Sequence, residues 1–179
     1  KPIDADLIIQ FIQTCADNKP IKPLFKMNVE FVNPFITSTI KALKKTCFTD
    51  AEKKEVKLRT KNSMSGDISA LIAMNCTDFR GSLALTFPED CFLKIVGKML
   101  GEDYQEISDD IVDAAGEICN QIFGQSKKAL NQEGFDIQQA IPTIIRGKNH
   151  QVKHLIKGPC VTMLFETEFG EFTIEAVVK

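Results

Sequence analysis

From Ser108 to Leu130 the apolar residues recur at helical spacing. Ile111, Val112, Ala115, Ile118, Cys119, Ile122, Phe123, Ala129 and Leu130 fall on one stripe at roughly 100° per residue, wide enough to lie on a sheet. Asp113, Glu117, Asn120 and Gly124 face the other way, toward water, where core packing requires none of them. Glu117 and Asn120 are three apart, so their side chains are surface neighbours able to enter one partner's cleft together. Gly116 and Gly124 add to the pattern. Each glycine inside a helix costs about 1 kcal/mol relative to alanine, which predicts a close approach to the backbone. Taken alone, an exposed Glu and Asn are most often simply solvated.

The same pattern occurs twice. Setting Glu30 against Glu117 places Phe31 on Ile118, Val32 on Cys119, Asn33 on Asn120, Phe35 on Ile122, Ile36 on Phe123, Ala42 on Ala129 and Leu43 on Leu130. The spacing predicts a first long helix from about Asn33 to Cys47, with Pro34 in its first turn. Strands follow near Glu55–Thr60, at Ile68–Cys76 and at Phe79–Phe87, the last with Phe79, Leu83, Leu85 and Phe87 on one face. After the second helix come strands near Phe135–Ile145, at Val161–Thr167 and at Glu171–Val178, with Phe172, Ile174, Ala176 and Val178 as the buried face. A shorter helix over Asp90–Leu100 joins the halves through Phe92, Ile95, Val96 and Met99. Two units of one helix and three strands bury most surface as one sheet with both long helices on one face. The expected fold is therefore α+β: a pseudo-twofold repeat with a six-stranded, mostly antiparallel sheet. Gly147–Gly158 has no counterpart of equal length in the first half and is expected to form a loop.

Composition narrows the partners. A net charge of −2, from 22 basic and 24 acidic residues spread along the chain, leaves no electrostatic footprint for nucleic acid or an anionic membrane. No apolar run approaches the ~20 residues of a membrane span, and no signal-type segment opens the chain, so the expected location is cytoplasmic. The six cysteines are scattered without a CxxC pair and read as buried, reduced thiols. His150 and His154 lie in a Lys-rich stretch with no carboxylate or cysteine nearby in sequence, which predicts a solvated loop and no metal site. A Gly-rich phosphate loop and a nucleophile paired with a base are also missing from the sequence.

The run Asp113-Ala114-Ala115-Gly116-Glu117-Ile118-Cys119-Asn120, with Pro142 downstream, resembles the D-x-x-x-E-x-x-N…P signature of the CheC/CheX/FliY phosphatases of bacterial chemotaxis. Asn33-Pro34-Phe35 at the first helix resembles CheX in particular, and the likeness covers Asn28 to Lys179. It implies removal of phosphate from the aspartyl phosphate of a phosphorylated CheY-like receiver. Asn120 would position the attacking water and Glu117 would pair with a receiver lysine. No cofactor is implied in this chain, since the magnesium belongs to the receiver. The chemistry is compatible: an acyl phosphate is already reactive, so orienting a water in line suffices. A neutral amide does this without setting negative charge beside phosphate. Gly124 would leave room for the receiver, and Asp113 either belongs to the docking face or is a solvated carboxylate. The likeness also implies a homodimer.

Glu30 and Asn33 repeat the spacing of Glu117 and Asn120. Because Pro34 follows directly, Asn33 is expected to cap the helix, leaving one working site. Residues 1–27 stand outside the repeat. Lys1-Pro2-Ile3-Asp4, then Leu7, Ile8, Phe11 and Ile12 at helical spacing, resemble the last helix of a receiver domain, with Pro20 and Pro23 in a linker before a CheX-like domain over 28–179. A native amphipathic extension is the rival. The functional alternative to a phosphatase is a non-catalytic adaptor that holds a phosphorylated receiver or a flagellar-switch component.

Overall fold

The computed structural model describes residues 27–59, 65–138 and 140–179. Three helices, α1 (Val29–Thr46), α2 (Glu89–Leu100) and α3 (Asp109–Gln132), accompany strands β1 (Ala51–Leu58), β2 (Gly66–Asn75), β3 (Arg80–Phe87), β4 (Thr143–His150), β5 (Cys160–Thr167) and β6 (Gly170–Val178). The strands form one six-stranded sheet in the order β1-β5-β6-β3-β2-β4. Every adjacent pair is antiparallel. The order reads the same from either end once β1, β2 and β3 are exchanged for β4, β5 and β6. Each half therefore lends its first strand to the hairpin of the other, and β3 meets β6 at the centre. The segment 1–26, with its proposed receiver helix and linker, lies outside the described residues. None of the described helices is long and apolar enough to cross a membrane.

The two long helices pack on each other and on the sheet. Phe31, near the start of α1, meets Phe135, just beyond the end of α3, at 5.9 Å, so the helices run in opposite directions. Equivalent buried hydroxyls mark the repeat: Thr39 Oγ1 donates to the Phe35 carbonyl at 2.7 Å and Ser126 Oγ to the Ile122 carbonyl at 2.8 Å. Both hydroxyls are satisfied one turn back within their own helix, so neither is orphaned where the helices touch. On the helix side of the sheet, Leu83, Leu85, Phe87, Phe172, Ile174 and Ala176 are all buried. The centre of the opposite side is buried too, mostly by small and polar residues such as Ser82, Ala84, Thr86 and Thr173. Ser69 and Thr86 share a hydrogen bond at 2.8 Å, and residues 151–159 reach over this side, where His154 Nδ1 lies 2.7 Å from Ser82 Oγ.

Helix α1 begins earlier than its sequence predicts. Asn28, not Asn33, is the N-cap, its side chain accepting from the Phe31 N–H, and Pro34 sits inside the helix. An interior proline costs about 3 kcal/mol, here through the lost bond to the Glu30 carbonyl and the bias it places on Asn33. Phe31 outweighs that cost. It is 1% exposed and contacts Phe35, Phe79 and Phe135 edge-on at 5.4 to 5.9 Å. Its burial contributes roughly 1.5–3 kcal/mol and each ring pair roughly 0.5–1.5 kcal/mol more. Buried Val32 adds to the same side.

The strand expected near Phe135–Ile145 also moves: β4 spans Thr143–His150. Pro142 cannot donate to a ladder, and the preceding residues are held as an irregular segment. Asn131 Oδ1 accepts from the Ile137 N–H at 3.0 Å, Gln138 N–H bonds the Asn75 carbonyl, and Ile137 is buried. The expected Gly147–Gly158 loop accordingly shortens, since its first four residues complete β4. Strand β1 starts at Ala51, ahead of the expected Glu55, because buried Ala51 closes the ladder opposite Thr167.

Phe31→Ala should lower unfolding stability by about 3–5 kcal/mol, with hydrogen exchange accelerated first at residues 29–33. Thermal and denaturant unfolding measure the first effect and exchange mass spectrometry the second. A loss under about 1 kcal/mol would contradict the anchoring assigned to this ring.

Candidate functional site: the outer face of the long helix

Ile111, Ala115, Ile118, Cys119, Ile122, Phe123 and Leu130 are buried as the stripe requires, and Ala114, Gly116 and Ser126 join them. Cys119 Sγ lies 3.8 Å from the Ala70 carbonyl on β2, which places the inner side of α3 directly over the sheet. With that side fixed, Asp113, Glu117 and Gly124 are exposed and Asn120 is half-buried at the border. The four residues singled out from the sequence therefore share one outward-looking face of α3.

Gln121, one turn after Glu117, donates from Nε2 to Glu117 Oε1 at 2.8 Å and holds that carboxylate on the surface. Gln121 is not among the residues that the helical pattern singles out, although the i, i+4 spacing of Glu117 and Gln121 is the sequence signal for this contact. Among the described residues, none hydrogen-bonds the Asn120 side chain. Its carbonyl oxygen and amide are both available to a water or a partner. The first turn carries Asp109 and Asp110, which suit the positive end of the helix dipole. Asp109 pairs with Arg146 of β4 at 2.8 Å.

The two glycines divide in role. A Cβ on Gly116 would come within 3.2 Å of Ile144 Cδ1 and 3.6 Å of Pro142 Cγ, so the close approach there is made by this chain itself. Gly116 lets β4 and Pro142 lie against the helix beside Asn120. A Cβ on Gly124 would meet nothing within 4 Å, which leaves bare helix backbone open to a visitor.

Three buried thiols, Cys47, Cys91 and Cys119, are poor nucleophiles. Burial pushes Cys119 and Cys47 up to about 12 and Cys91 up to about 11, far above neutrality. The outer face of α3 is a ridge. A depression of about 720 Å³ lies between α1 and α3 and is lined by Glu30, Asn33, Pro34 and Lys128 among others, without Glu117 or Asn120. A ridge bearing an acid and an amide acts chemically only on a group presented by another molecule.

The first half holds a variant of the same pair. Asn33 lies within α1 and is exposed, so the expectation that it caps the helix is corrected, and with it the reason given for a single site. Two differences separate Glu30 from Glu117. Glu30 Oε2 accepts from Asn28 Nδ2 at 3.2 Å, and the repeat places Pro34 where Gln121 stands, so the amide that steadies Glu117 has no equivalent.

The histidines also depart from expectation. His150 Nε2 bonds Ser69 Oγ at 2.8 Å, and the His154 side chain is 3% exposed, with Glu175 at 3.3 Å and Cys160 close by. Ser69 and Glu175 are distant in sequence from these histidines and reach them through the sheet, while Cys160 is only six residues beyond His154.

Residues 68–166 match the family described as Chemotaxis phosphatase CheX. No curated protein matches the chain. Among solved structures, a CheC-like superfamily protein from Shewanella sp. PV-4 is 35% identical, covering 86% of this chain and 99% of its own, with a TM-score of 0.81. The chemotaxis protein CheX from Vibrio vulnificus is 33% identical over 84% of this chain and all of its own, with a TM-score of 0.80. The CheX of a CheX–CheY–BeF3–Mg complex from Borrelia burgdorferi shares the fold at 17% identity, covering 85% of this chain and 99% of its own, with a TM-score of 0.71. With more than half of its length matched and relatives above 30% identity spanned almost end to end, the chain belongs to the chemotaxis phosphatase CheX family.

Proposed function

We propose that the protein accelerates hydrolysis of the aspartyl phosphate of a CheY-like response regulator, with Asn120 and Glu117 as the working pair. The observation that carries this reading is the exposed acid and the unpartnered amide one turn apart on the outer face of α3. Family membership supports the reaction class. That a relative forms a complex with CheY supports the partner.

On this reading the receiver brings the phosphoryl group and its magnesium, and this chain brings geometry. The Asn120 carbonyl accepts from a water while its N–H₂ donates toward the phosphoryl oxygens, which aligns the attack. Glu117, preset by Gln121, makes a charge-assisted bond to a receiver lysine and fixes the register of docking. Gly124 admits the receiver surface, and Asp113 extends the acidic edge of the contact. One working site is proposed, because Pro34 cannot do for Glu30 what Gln121 does for Glu117. The reaction places the protein with its receiver in the cytoplasm, and the family resemblance supports a homodimer.

Decay of a phosphorylated receiver, followed with and without the protein, tests the proposal. Asn120→Ala should reduce the acceleration by about 10²-fold while leaving binding of the receiver nearly intact. Glu117→Ala should weaken binding by roughly 10-fold or more, as loss of a charged hydrogen bond predicts. An unchanged receiver lifetime despite measured binding would instead make the protein an adaptor.

Gly124→Ala should raise unfolding stability by about 1 kcal/mol, because the added methyl meets open space and alanine favours the helix. Gly124→Phe should raise KM for the phosphorylated receiver while sparing kcat. Equal KM for wild type and Gly124→Phe would remove this residue from the docking face. Size-exclusion chromatography with light scattering reads the assembly directly: the mass of two chains supports the dimer and the mass of one refutes it.

A further inference from the structure

We propose that His154, Cys160 and Glu175 bind a divalent transition-metal ion of the zinc class on the side of the sheet opposite α1 and α3. The three donors come from separate places: the 151–159 segment, the first residue of β5 and the middle of β6. Their ligand atoms all lie within 4.8 Å of one another. A nitrogen, a sulfur and an oxygen make a donor set that zinc accepts, and three protein ligands leave one position open.

The geometry fits an ion. His154 Nε2 and Glu175 Oε2 are 3.3 Å apart. Two light ligands at ~2.0 Å from a tetrahedral zinc are separated by ~3.3 Å. Sulfur at ~2.3 Å would sit ~3.5 Å from each, and since the three ligand atoms already lie within 4.8 Å of one another, the Cys160 sulfur needs to move by no more than about 1.3 Å. Cys160 is only partly buried, which allows that shift.

The supporting groups aim these atoms. Ser82 Oγ engages His154 Nδ1 at 2.7 Å, which turns Nε2 toward the carboxylate. Thr162 Oγ1 donates to Glu175 Oε1 at 3.2 Å, leaving Oε2 for the ion. Such outer contacts fix ring and carboxylate orientation in built metal sites. A cavity of about 530 Å³, lined by Arg59, Lys153, Ile156 and Pro159 among others, adjoins His154 and Cys160 and gives the fourth position access to water.

Arg59 is the competitor. Its Nη1 lies 3.2 Å from the same Glu175 Oε2, while Nη2 donates to the Val152 carbonyl at 2.9 Å. Arg59 also hydrogen-bonds Cys160, so the site exchanges one counter-charge for another: an arriving ion takes both Glu175 Oε2 and the Cys160 sulfur from the guanidinium, which keeps its backbone bond. Binding replaces the Cys160 S–H bond with a sulfur–metal bond and releases that proton to solvent. The bound ion joins residues 151–159 to both β5 and β6, fastening the segment that distinguishes the second half from the first.

Cobalt titration of the reduced, chelator-treated full chain tests the site. Co²⁺ should give a thiolate-to-cobalt absorption band with tetrahedral ligand-field bands, saturating at a single ion per chain and displaced by Zn²⁺. Cys160→Ser should abolish the charge-transfer band, and His154→Gln should weaken binding by about tenfold or more. Arg59→Gln retains all three ligands and removes the guanidinium that competes with the ion for Glu175, so it should tighten binding by about tenfold, the worth of one charged hydrogen bond. No thiolate band, a band that survives Cys160→Ser, or unchanged affinity in Arg59→Gln would overturn the proposal and leave the cluster as a hydrogen-bonded ion pair.

Discussion

The burial of one side of α3 against β2 governs what the rest of the molecule can do. Ile118, Cys119 and Ile122 are at most 1% exposed, and a helix that hides three such residues has a single orientation left. Glu117 and Asn120 are outside because their neighbours in sequence are inside. No binding energy of their own is needed to hold them there. Rotating α3 by even one residue would bury a carboxylate without a partner and expose core, a cost of several kcal/mol. The outward pair is thus positioned by hydrophobic packing, and its chemistry is left free for another molecule.

The pseudo-twofold repeat gives the chain two such helices on one sheet, and small differences decide what each face offers. Thr39 and Ser126 occupy equivalent places and make equivalent bonds, so the scaffold is close to symmetric at the core. The surfaces have diverged. Gln121 steadies Glu117, whereas the matching position holds Pro34, and Glu30 is drawn instead to the cap residue Asn28. A symmetric frame with unequal faces fits the proposal that one half acts on the receiver while the other supports it.

Much of this was legible from residue spacing, and the failures share a cause. Periodicity located α2, α3, the two long hairpins and the outward face, because each rests on local alternation between core and water. It misplaced the start of α1 since Pro34 is a strong local signal, while the contacts of Phe31 with Phe79 and Phe135 that override it are tertiary. The stretch before β4 was misread for a similar reason. Phe135 and Ile137 are apolar at strand-like spacing, yet they point into the core from an irregular segment pinned by Asn131 and Asn75. Gly116 was correctly marked as a place of close approach, but the approaching group is Ile144 of the same chain. His154 was the largest miss: its partners Cys160 and Glu175 are brought to it only when β5 and β6 pair and the 151–159 segment folds back.

The central claim is that the outer face of α3 enters the receiver's phosphorylation site. A crystal structure of the protein bound to its receiver, with magnesium and a beryllofluoride in place of the phosphoryl group, tests it most directly. The account predicts the Asn120 amide within hydrogen-bonding reach of the beryllofluoride or of its in-line water, with Glu117 on a receiver lysine. A complex in which α3 faces solvent, or in which the receiver docks on a surface lacking Asn120, would contradict it.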